Sequence, residues 1–346
     1  MGDAIQKTAI SSLQEVRNLI KELPGPDLES LKKVALHDAQ LTKPMGSLGK
    51  LETLVEWLAS WQAQYPPRLN HPRTSVFAGN HGVAKYGVSA FPSSVTSEMV
   101  KNFVEGGAAV NQLCKTFDAD LRVYELGLEQ PTSDFTTEPA MTEEDCVRAM
   151  AYGMMAIEPG LDVICIGEMG IGNTTSAAAV SMGLFGGKAE EWVGRGTGIT
   201  PETLEKKIKL VQAAVDFHLP QKEDPLSIFA ALGGLELAAI IGTIIAARLA
   251  RVPVILDGFA CTASAAVLFS LDPTTIDHCM VAHRSVEPGH TKLLELMCKD
   301  PLFDLGLRLG EASGATLALG ILKAAVNCHT GMATFSSAGI SGPESG

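Results

Sequence analysis

The sequence lacks the features that mark several classes of protein. It has no Cys-x-x-Cys pair, and its seven cysteines, an odd number, are scattered along 346 residues. This pattern indicates neither a disulfide framework nor a cysteine-based zinc site, and it suits a reducing cytoplasm. Basic residues are also fewer than acidic ones: the sequence has 27 Lys and Arg residues and 39 Asp and Glu residues, which gives a formal net charge of −12. Because nucleic acids and anionic membranes attract a basic face, neither is an expected partner.

Segments that would target the chain to a membrane are not evident either. The first residues, Met1-Gly2-Asp3-Ala4, do not begin a basic and then apolar stretch, so no secretory signal peptide is visible. Residues 230–250 are nearly uncharged and long enough to span a bilayer, but they include Glu236. Because a carboxylate is costly in lipid, this segment predicts a buried helix instead.

The hydrophobic pattern divides the chain into a helical beginning and a longer alternating part. Residues 1–66 contain amphipathic helical patterns and no strand pattern. Over 67–325, short apolar runs alternate with Ala-rich helical stretches, which predicts an α/β core with a parallel sheet covered by helices. The apolar runs lie at 75–79, 121–126, 163–167, 252–256 and 279–282. Residues 326–346 form a C-terminal segment, and the length fits either two domains or one large α/β domain with appended helices.

Residues 163–175 carry the strongest local pattern. A buried strand runs into Gly170 and Gly172, and then into Asn173 and Thr174 at the start of an Ala-rich helix. Ligands bind beyond the carboxyl ends of parallel strands, and a helix start with adjacent glycines attracts phosphate. The segment contains neither a Walker A loop nor a dinucleotide fingerprint. It predicts a phosphate site, and a tight turn before a capped helix is the alternative.

Two further segments combine glycines with polar groups. Residues 193–198 place glycines on both sides of Arg195, and three lysines follow on a helix at positions 206, 207 and 209. One of these lysines could reach the phosphate. Residues 283–290 follow an apolar run and have a histidine at each end. Because no third ligand is in view and the spacing is not that of a metal motif, this pair does not indicate a metal site.

Two acidic residues differ from the others because their sequence surroundings are apolar or small. Glu311 lies between small residues and close to leucines, and Asp257 ends the apolar run at 252–256. Removal of water raises the pKa of a carboxyl group and makes it a better base. Glu311 is therefore a candidate general base, with helix capping as the alternative. Asp257 is either a site residue or the aspartate of a structural turn.

Several motifs, taken in order, resemble the nicotinate-nucleotide–dimethylbenzimidazole phosphoribosyltransferase family of cobalamin lower-ligand assembly. They are Lys43-Pro44-x-Gly46-Ser47-Leu48-Gly49-x-Leu51-Glu52, His81-Gly82-Val83, Gly170-x-x-Asn173-Thr174-Thr175, Leu256-Asp257-Gly258-Phe259 and Arg308-Leu309-Gly310-Glu311-x-Ser313-Gly314-Ala315. The resemblance extends over about residues 37–334. It implies a Rossmann-like fold, a small helical domain from residues 1–66 with part of the C-terminus, and a homodimer. It also implies small-molecule substrates, with no cofactor and no metal.

Members of this family transfer ribose 5-phosphate from nicotinate mononucleotide to 5,6-dimethylbenzimidazole, which gives α-ribazole 5′-phosphate and nicotinate. The resemblance places the family's catalytic glutamate at Glu311. It implies that the phosphate contacts are Gly170, Asn173 and Thr174, with Lys207 and Ser285 in addition. It implies that the acceptor-base pocket includes Phe91, Met99, Leu309 and the adjoining Gly310. Asn80 stands where many relatives have an aspartate, so a contact there with ribose or base would be made by an amide.

The chemistry of this reaction assigns the remaining roles. The glycosidic nitrogen of the nucleotide is a cationic pyridinium and leaves as a neutral nitrogen, so its departure needs neither a metal nor an acid. The second nitrogen of the incoming benzimidazole must lose a proton, and we assign this step to Glu311. We expect Glu168 or Asp257 to stabilise the developing ribose cation.

Alternatives to this function remain open at the level of sequence. The same scaffold could serve another acceptor base, a purine or a phenolic compound, or the chain could be a non-catalytic nucleotide sensor. A sensor would keep the glycine loop but would not need Glu311 beside an apolar pocket. An NAD-dependent oxidoreductase is not indicated, because no Gly-x-Gly-x-x-Gly is followed by an acidic residue about 20 positions later.

Overall fold

The computed structural model describes residues 10–221 and 224–342. The N-terminal residues on which the signal-peptide prediction depends lie outside this part of the chain. The strands are β1 Pro72–Gly79, β2 Asp120–Leu126, β3 Val163–Met169, β4 Val254–Leu256 and β5 Cys279–Val281. The helices are α1 Leu13–Lys21, α2 Leu28–Asp38, α3 Lys50–Gln62, α4 Ser94–Glu105, α5 Ala109–Phe117, α6 Glu143–Met154, α7 Asn173–Phe185, α8 Ala189–Trp192, α9 Pro201–His218, α10 Pro225–Leu232, α11 Leu235–Leu249, α12 Phe259–Leu271, α13 Pro288–Leu296, α14 Ser313–Gly331 and α15 Phe335–Ala338.

The strands form a parallel sheet in the order β2-β1-β3-β4-β5. Every residue of β1 and β4 is buried, because helices cover the sheet on both faces. β2 lies at an edge of the sheet and is fully buried only at Leu126. The α/β fold with a parallel sheet, predicted from the apolar runs, is confirmed.

Neighbouring residues of a strand pack into two different hydrophobic clusters. In β1, Phe77 belongs to the cluster that contains most of α11, whereas Val76 belongs to the cluster that contains the buried face of α14. The same alternation holds in β3, where Ile164 and Cys165 belong to the first and second cluster respectively. Successive side chains of a strand point to opposite faces, so both sets of side chains are buried in a strand that is covered on both sides.

The direction of strand addition reverses between β1 and β3. β2 pairs with one edge of β1 and β3 pairs with the other, where Ala78 lies opposite Met169. Beyond the carboxyl ends of such strands the connections diverge to opposite faces of the sheet and leave a crevice for a ligand. The residues that follow β1 and the glycine loop at 170–172 meet at this crevice.

Residues 230–250 lie in the interior, as the internal Glu236 predicts. Gly233 and Gly234 separate α10 from α11, and α11 is buried over almost its whole length. At Gly242 a Cβ atom would lie 1.9 Å from the carbonyl oxygen of Met150 in α6, so glycine allows the two helices to touch. In the described part of the chain, no helix combines the length and apolar character needed to cross a membrane.

Of the three helices that precede β1, α2 and α3 lie beside the C-terminal part of the chain, whereas α1 packs against the hydrophobic cluster that contains α11. α3 packs against α14, and Leu41 forms an antiparallel bridge with Thr334. The structure thus brings residues of α2, α3 and the segment between them close to the C-terminal part of the chain. The division of the chain at residues 66 and 325 stays a prediction.

Candidate active site

Two helices begin in the wall of a cavity beyond the carboxyl ends of β3 and β4. α7 follows the N-cap residue Gly172 and α12 follows the N-cap residue Gly258, and neither has a side-chain cap. The cavity has a volume of about 470 Å³. Amide groups in a first helical turn have no partner within the helix, and the helix dipole adds partial positive charge there. The cavity can therefore bind an anion although the protein is acidic.

Most of the predicted site residues line this cavity. Those in its wall are Phe91, Glu168, Gly170, Asn173, Thr174, Ser285, Leu309 and Gly310. Three others, Lys207, Asp257 and Glu311, lie directly behind the wall and are buried. Met99 lies on α4, half-buried against a hydrophobic cluster, and is not among the lining residues. Its assignment to the base pocket stays a prediction.

A larger cavity lies between α1, α6 and the loop after β2. Its volume is about 840 Å³, and none of the predicted site residues lines it. Size alone would favour this cavity as the binding site. The smaller cavity is the better candidate, because it is at the strand ends where parallel sheets bind ligands and contains the uncapped helix N-termini.

Lys207 is the lysine of α9 that reaches the phosphate segment. Its side chain is fully buried, whereas Lys206 and Lys209 are exposed. The Nζ atom donates to the hydroxyl oxygen of Thr174 at 2.8 Å and to the carbonyl oxygen of Gly194 at 3.2 Å. Burial lowers the pKa of Lys207 to about 8, and the charge of Glu287 opposes this effect. An ammonium group beside Thr174 and the start of α7 can bind a phosphate by a charge-assisted hydrogen bond.

Glu311 lies in a backbone turn of unusual conformation. Gly310, Glu311 and Ala312 have φ angles of +83°, +62° and +59°, so two residues with side chains adopt the left-handed region. Such residues are uncommon and cluster at functional sites. The amide of Glu311 donates to the carbonyl oxygen of Glu168 at 3.2 Å, which ties the turn to β3. At Gly167 a Cβ atom would lie 1.9 Å from the amide nitrogen of Ala312, so this close approach requires glycine.

The surroundings of Glu311 suit a general base. The residue is only 6% exposed. Burial, and to a smaller extent the charge of Asp257, raises the pKa of Glu311 to about 7. A base with a pKa near the working pH is deprotonated often enough to act and still binds a proton well. The small residues around Glu311 thus have two consequences, a tight turn and a desolvated carboxyl group.

Glu168 lies at the end of β3, and its carboxyl group accepts a hydrogen bond from the side-chain amide of Asn173. Burial raises the pKa of Glu168 well above its ordinary value, and the charges of three neighbouring carboxylates add to this effect. These neighbours are Asp257, Glu236 and Glu311. Clusters of carboxyl groups with perturbed pKa values are typical of active sites, because a cation or a proton can be stabilised there.

Asp257 connects the cavity to the start of α14. Its Oδ1 atom accepts from the amide of Ala315 at 2.9 Å and lies 3.5 Å from Nε2 of His283. Within the described residues its second oxygen is buried without a hydrogen-bond partner. Asp257 therefore caps the first turn of α14, a structural role that differs from the turn aspartate of the alternative, and it still presents a carboxylate next to the cavity. Its role toward the ribose stays a prediction.

A buried pair that the sequence does not reveal lies beneath the glycine loop. Nε2 of His81 is 2.6 Å from Oε1 of Glu236, and both side chains are fully buried. A Cβ atom at Gly170 would be 3.5 Å from the same carboxylate oxygen, and one at Gly172 would be 3.3 Å from Cβ of His81. The two residues are 155 positions apart, so no local pattern could have paired them.

The two histidines of residues 283–290 have different surroundings. His290 is bonded within the interior: its Nδ1 atom accepts from the amide of Ser285 at 3.0 Å, and its Nε2 atom is 3.0 Å from the hydroxyl of Thr262. His283 stacks on Phe303. Across residues 10–221 and 224–342, no group of three or more His, Cys, Asp or Glu side chains could hold a metal ion.

Phe91 and Leu309 form an open apolar part of the cavity wall. Phe91 is 52% exposed and Leu309 is 56% exposed, so a planar base could cover both side chains. Asn80 is not among the lining residues. Its side-chain amide donates to the carbonyl oxygen of Leu128 at 2.9 Å, a bond that an ionised aspartate could not make. A contact of the Asn80 amide with the ribose or the base stays a prediction.

Comparison with known proteins agrees with this geometry. A family model described as "Phosphoribosyltransferase" matches residues 23–340. The chain is 55% identical over 328 residues to nicotinate-nucleotide–dimethylbenzimidazole phosphoribosyltransferase of Brucella anthropi, an alignment that covers 95% of this chain and 97% of that protein. It is 53% identical over 330 residues to the protein of the same name from Rhizobium meliloti, with 95% and 97% covered. The crystal structure of CobT from Thermus thermophilus is similar at a TM-score of 0.85 and 40% identity, over 91% of this chain and 100% of that one.

Proposed function

The chain belongs to the nicotinate-nucleotide–dimethylbenzimidazole phosphoribosyltransferase family, and we propose that it transfers ribose 5-phosphate from nicotinate mononucleotide to 5,6-dimethylbenzimidazole. The products are α-ribazole 5′-phosphate and nicotinate. The observation that carries this proposal is the position of Glu311, a desolvated carboxyl group held by a left-handed turn directly behind the cavity wall. A protein that only bound a nucleotide would have no use for such a base.

In this proposal the phosphate of the nucleotide binds at the N-terminus of α7. The loop at 170–172 brings backbone amides close, and Lys207 supplies a positive charge through its contact with Thr174. Ser285 lines the same cavity and can donate its hydroxyl group. A phosphate fixed at one end of the nucleotide places C1′ of the ribose at a defined distance from the acceptor base. Positioning of this kind can lower a reaction barrier by several kcal/mol.

The reacting centre lies between the acidic residues and the apolar wall. The bond between C1′ and the pyridinium nitrogen breaks, and its electron pair leaves with nicotinate, whose ring becomes neutral. Glu168 or Asp257 stabilises the positive charge that develops on the ribose. The benzimidazole nitrogen forms the new bond to C1′ from the opposite face, which converts a β-linkage into an α-linkage. Glu311 then takes the proton from the second nitrogen of the base, a step typically worth 10²–10⁴-fold in rate.

Product analysis by mass spectrometry tests this proposal. The protein is incubated with nicotinate mononucleotide and an equimolar mixture of 5,6-dimethylbenzimidazole, adenine and p-cresol. The expected result is α-ribazole 5′-phosphate as the principal product, with one nicotinate released for each product molecule. Without a base, nicotinate release should stop. An adenine or cresol adduct as the principal product would contradict the acceptor, and thermal stabilisation by the nucleotide without any nicotinate release would indicate a sensor.

We also propose that the protein is a cytoplasmic homodimer, as the family resemblance implies. Five of its seven cysteines are buried free thiols, which supports a reducing compartment. Light scattering coupled to gel filtration should give a mass of about twice the 36.5 kDa of one chain. A mass of one chain at micromolar concentration would contradict the dimer.

A further inference from the structure

Glu287 is a buried carboxylate that the reaction described above does not use. It directly precedes α13, is 6% exposed and lines the cavity. Its Oε1 atom accepts from the amide of Gly196 at 2.8 Å. Its Oε2 atom is buried, and within the described residues it has no hydrogen-bond partner. A Cβ atom at Gly194 would lie 2.1 Å from this second oxygen, so the carboxylate is pressed against the backbone of the loop at 194–198.

Lys207 contacts the same loop from another direction. Its ammonium group donates to the carbonyl oxygen of Gly194 and to the hydroxyl of Thr174. A Cβ atom at Gly196 would lie 3.0 Å from the Thr174 hydroxyl oxygen and 3.5 Å from Nζ of Lys207. The loop is therefore held between a buried carboxylate and a buried ammonium group. Glycine is required at 194 by the close approach of Glu287, and it is favoured at 196 by a φ angle of +49° and the nearby hydroxyl of Thr174.

We propose that Glu287 is a positioning residue that holds the loop at 194–198 against Lys207 and supplies the negative charge that keeps this lysine positively charged for the phosphate of the substrate. This inference rests on the proposed function for the identity of the nucleotide. Glu287 acts through Lys207 and the loop and does not need to touch the reacting atoms.

The charges around Lys207 explain why a buried carboxylate is needed. Burial favours the neutral form of a lysine, and it lowers the pKa of Lys207 to about 8. Arg308 adds a second positive charge on the other side of the loop, since its guanidinium group donates to the carbonyl oxygen of Gly196 at 3.4 Å. The charge of Glu287 opposes the effect of burial on the pKa of Lys207. Without it, the lysine would lose its proton at a lower pH, and the phosphate would lose its charge-assisted bond.

Calorimetric titration with nicotinate mononucleotide tests this inference. The dissociation constant is measured between pH 7 and pH 9, where the phosphate is already a dianion because its second pKa is near 6. Wild-type affinity should fall as the pH rises through about 8. In Glu287→Gln, which keeps an acceptor for the Gly196 amide, the fall should begin about one pH unit lower and weaken binding about five-fold at pH 8. The loss should appear in KM for the nucleotide more than in kcat.

Matched variants separate this role from a general structural one. Glu205→Gln removes the same charge from an exposed position of α9 and should leave the pH dependence of binding unchanged. In a Lys207→Arg background the effect of Glu287→Gln should disappear, because arginine keeps its proton throughout this range. Gly194→Ala displaces the carboxylate without removing it and should reproduce the weaker binding, which keeps the inference testable if Glu287→Gln does not fold.

Two results would overturn the inference. One is a wild-type pH dependence of binding in Glu287→Gln or in Gly194→Ala. The other is an equal loss of affinity from Glu287→Gln with lysine and with arginine at position 207. Because these experiments measure nucleotide binding and not product formation, failure of the inference can be told apart from failure of the proposed function. A protein that binds the nucleotide with these pH effects and forms no ribazole product would contradict the reaction alone.

Discussion

At the scale of single residues, Glu311 combines two unfavourable conditions. Its backbone lies in the left-handed region, which costs about 1–3 kcal/mol for a residue with a side chain, and its carboxyl group is buried near Asp257. The turn persists because its neighbours determine it: the Glu311 amide bonds to Glu168, and Gly167 makes room for Ala312. A carboxyl group that is costly to ionise in the folded state is one that accepts a proton readily.

Glu311→Gln should therefore stabilise the fold at alkaline pH. The pKa of Glu311 is about 7 in the folded protein and about 4.5 when the chain is unfolded, so the folded state holds its proton more tightly. Its contribution to stability is present below the unfolded pKa and is lost as the pH rises through about 7. Urea unfolding at pH 8.5 should show Glu311→Gln more stable than wild type by about 1–3 kcal/mol, and at pH 4.5 the difference should nearly vanish. Equal differences at both pH values would place Glu311 in solvent.

Phe91→Ala should change the choice of acceptor base more than the affinity for the nucleotide. Phe91 lines the cavity as an exposed apolar side chain and is not one of the phosphate contacts in the proposal. The measurement is kcat/KM for a series of benzimidazoles, together with the dissociation constant of nicotinate mononucleotide. An equal effect on both quantities would remove Phe91 from the base pocket.

The sequence could predict site residues that follow strand ends or belong to ordered motifs. The sequence predicts Glu168, Asn173 and Thr174 in this way, because the carboxyl ends of parallel strands lie at the same edge of the sheet. The choice of Lys207 among three lysines of α9 depended on the motif resemblance, because helical phase alone does not say which face meets the loop at 194–198. The sequence could not predict the pairing of His81 with Glu236, because the pair depends on how α11 packs beneath the glycine loop.

At the scale of secondary-structure elements, the site depends on the approach of the turn at 310–312 to β3. Gly167→Ala should disturb this approach, because its Cβ atom would lie 1.9 Å from the amide nitrogen of Ala312. Overpacking of this kind should destabilise the fold by about 1–3 kcal/mol and lower kcat by moving Glu311. The control is Gly25→Ala, where a Cβ atom meets nothing within 4 Å. Equal stability and turnover in Gly167→Ala and Gly25→Ala would contradict the described contact.

The elements themselves followed from the sequence more directly than their order did. Each apolar run overlaps a strand, and the inner strands read as continuous apolar runs because helices cover both faces of the sheet there. The order β2-β1-β3-β4-β5 is different, because it depends on which face each connection covers. The apolar runs do not predict that β3 pairs with β1. This pairing creates the crevice at the strand ends.

At the scale of the whole molecule, an acidic protein binds an anionic substrate by local means. The formal charge of −12 opposes the approach of a phosphate, whereas the uncapped starts of α7 and α12 and the buried Lys207 favour it within the cavity. Carboxyl groups lie close to these same positive groups, because Glu168 accepts from Asn173 at the start of α7 and Glu287 lies beside Lys207. The positive groups that favour a phosphate are therefore local and are balanced by neighbouring acids.

Activity should survive exhaustive chelation. The leaving nitrogen departs as a neutral pyridine, so the account requires no Lewis acid at either end of the reaction. The measurement is nicotinate release after dialysis against a chelator, with a sample dialysed against buffer alone as the control. Activity that is lost on chelation and restored by zinc would contradict this part of the account.

The pH dependence of kcat at saturating levels of both substrates tests the central claim most directly. If Glu311 is the general base, wild-type turnover should rise as the pH increases through about 7, where this carboxyl group loses its proton. Glu311→Gln should lower turnover by at least ~10²-fold and remove this rise while leaving nucleotide binding nearly intact. A Glu311→Gln protein with wild-type turnover and the same rise would show that another group takes the proton.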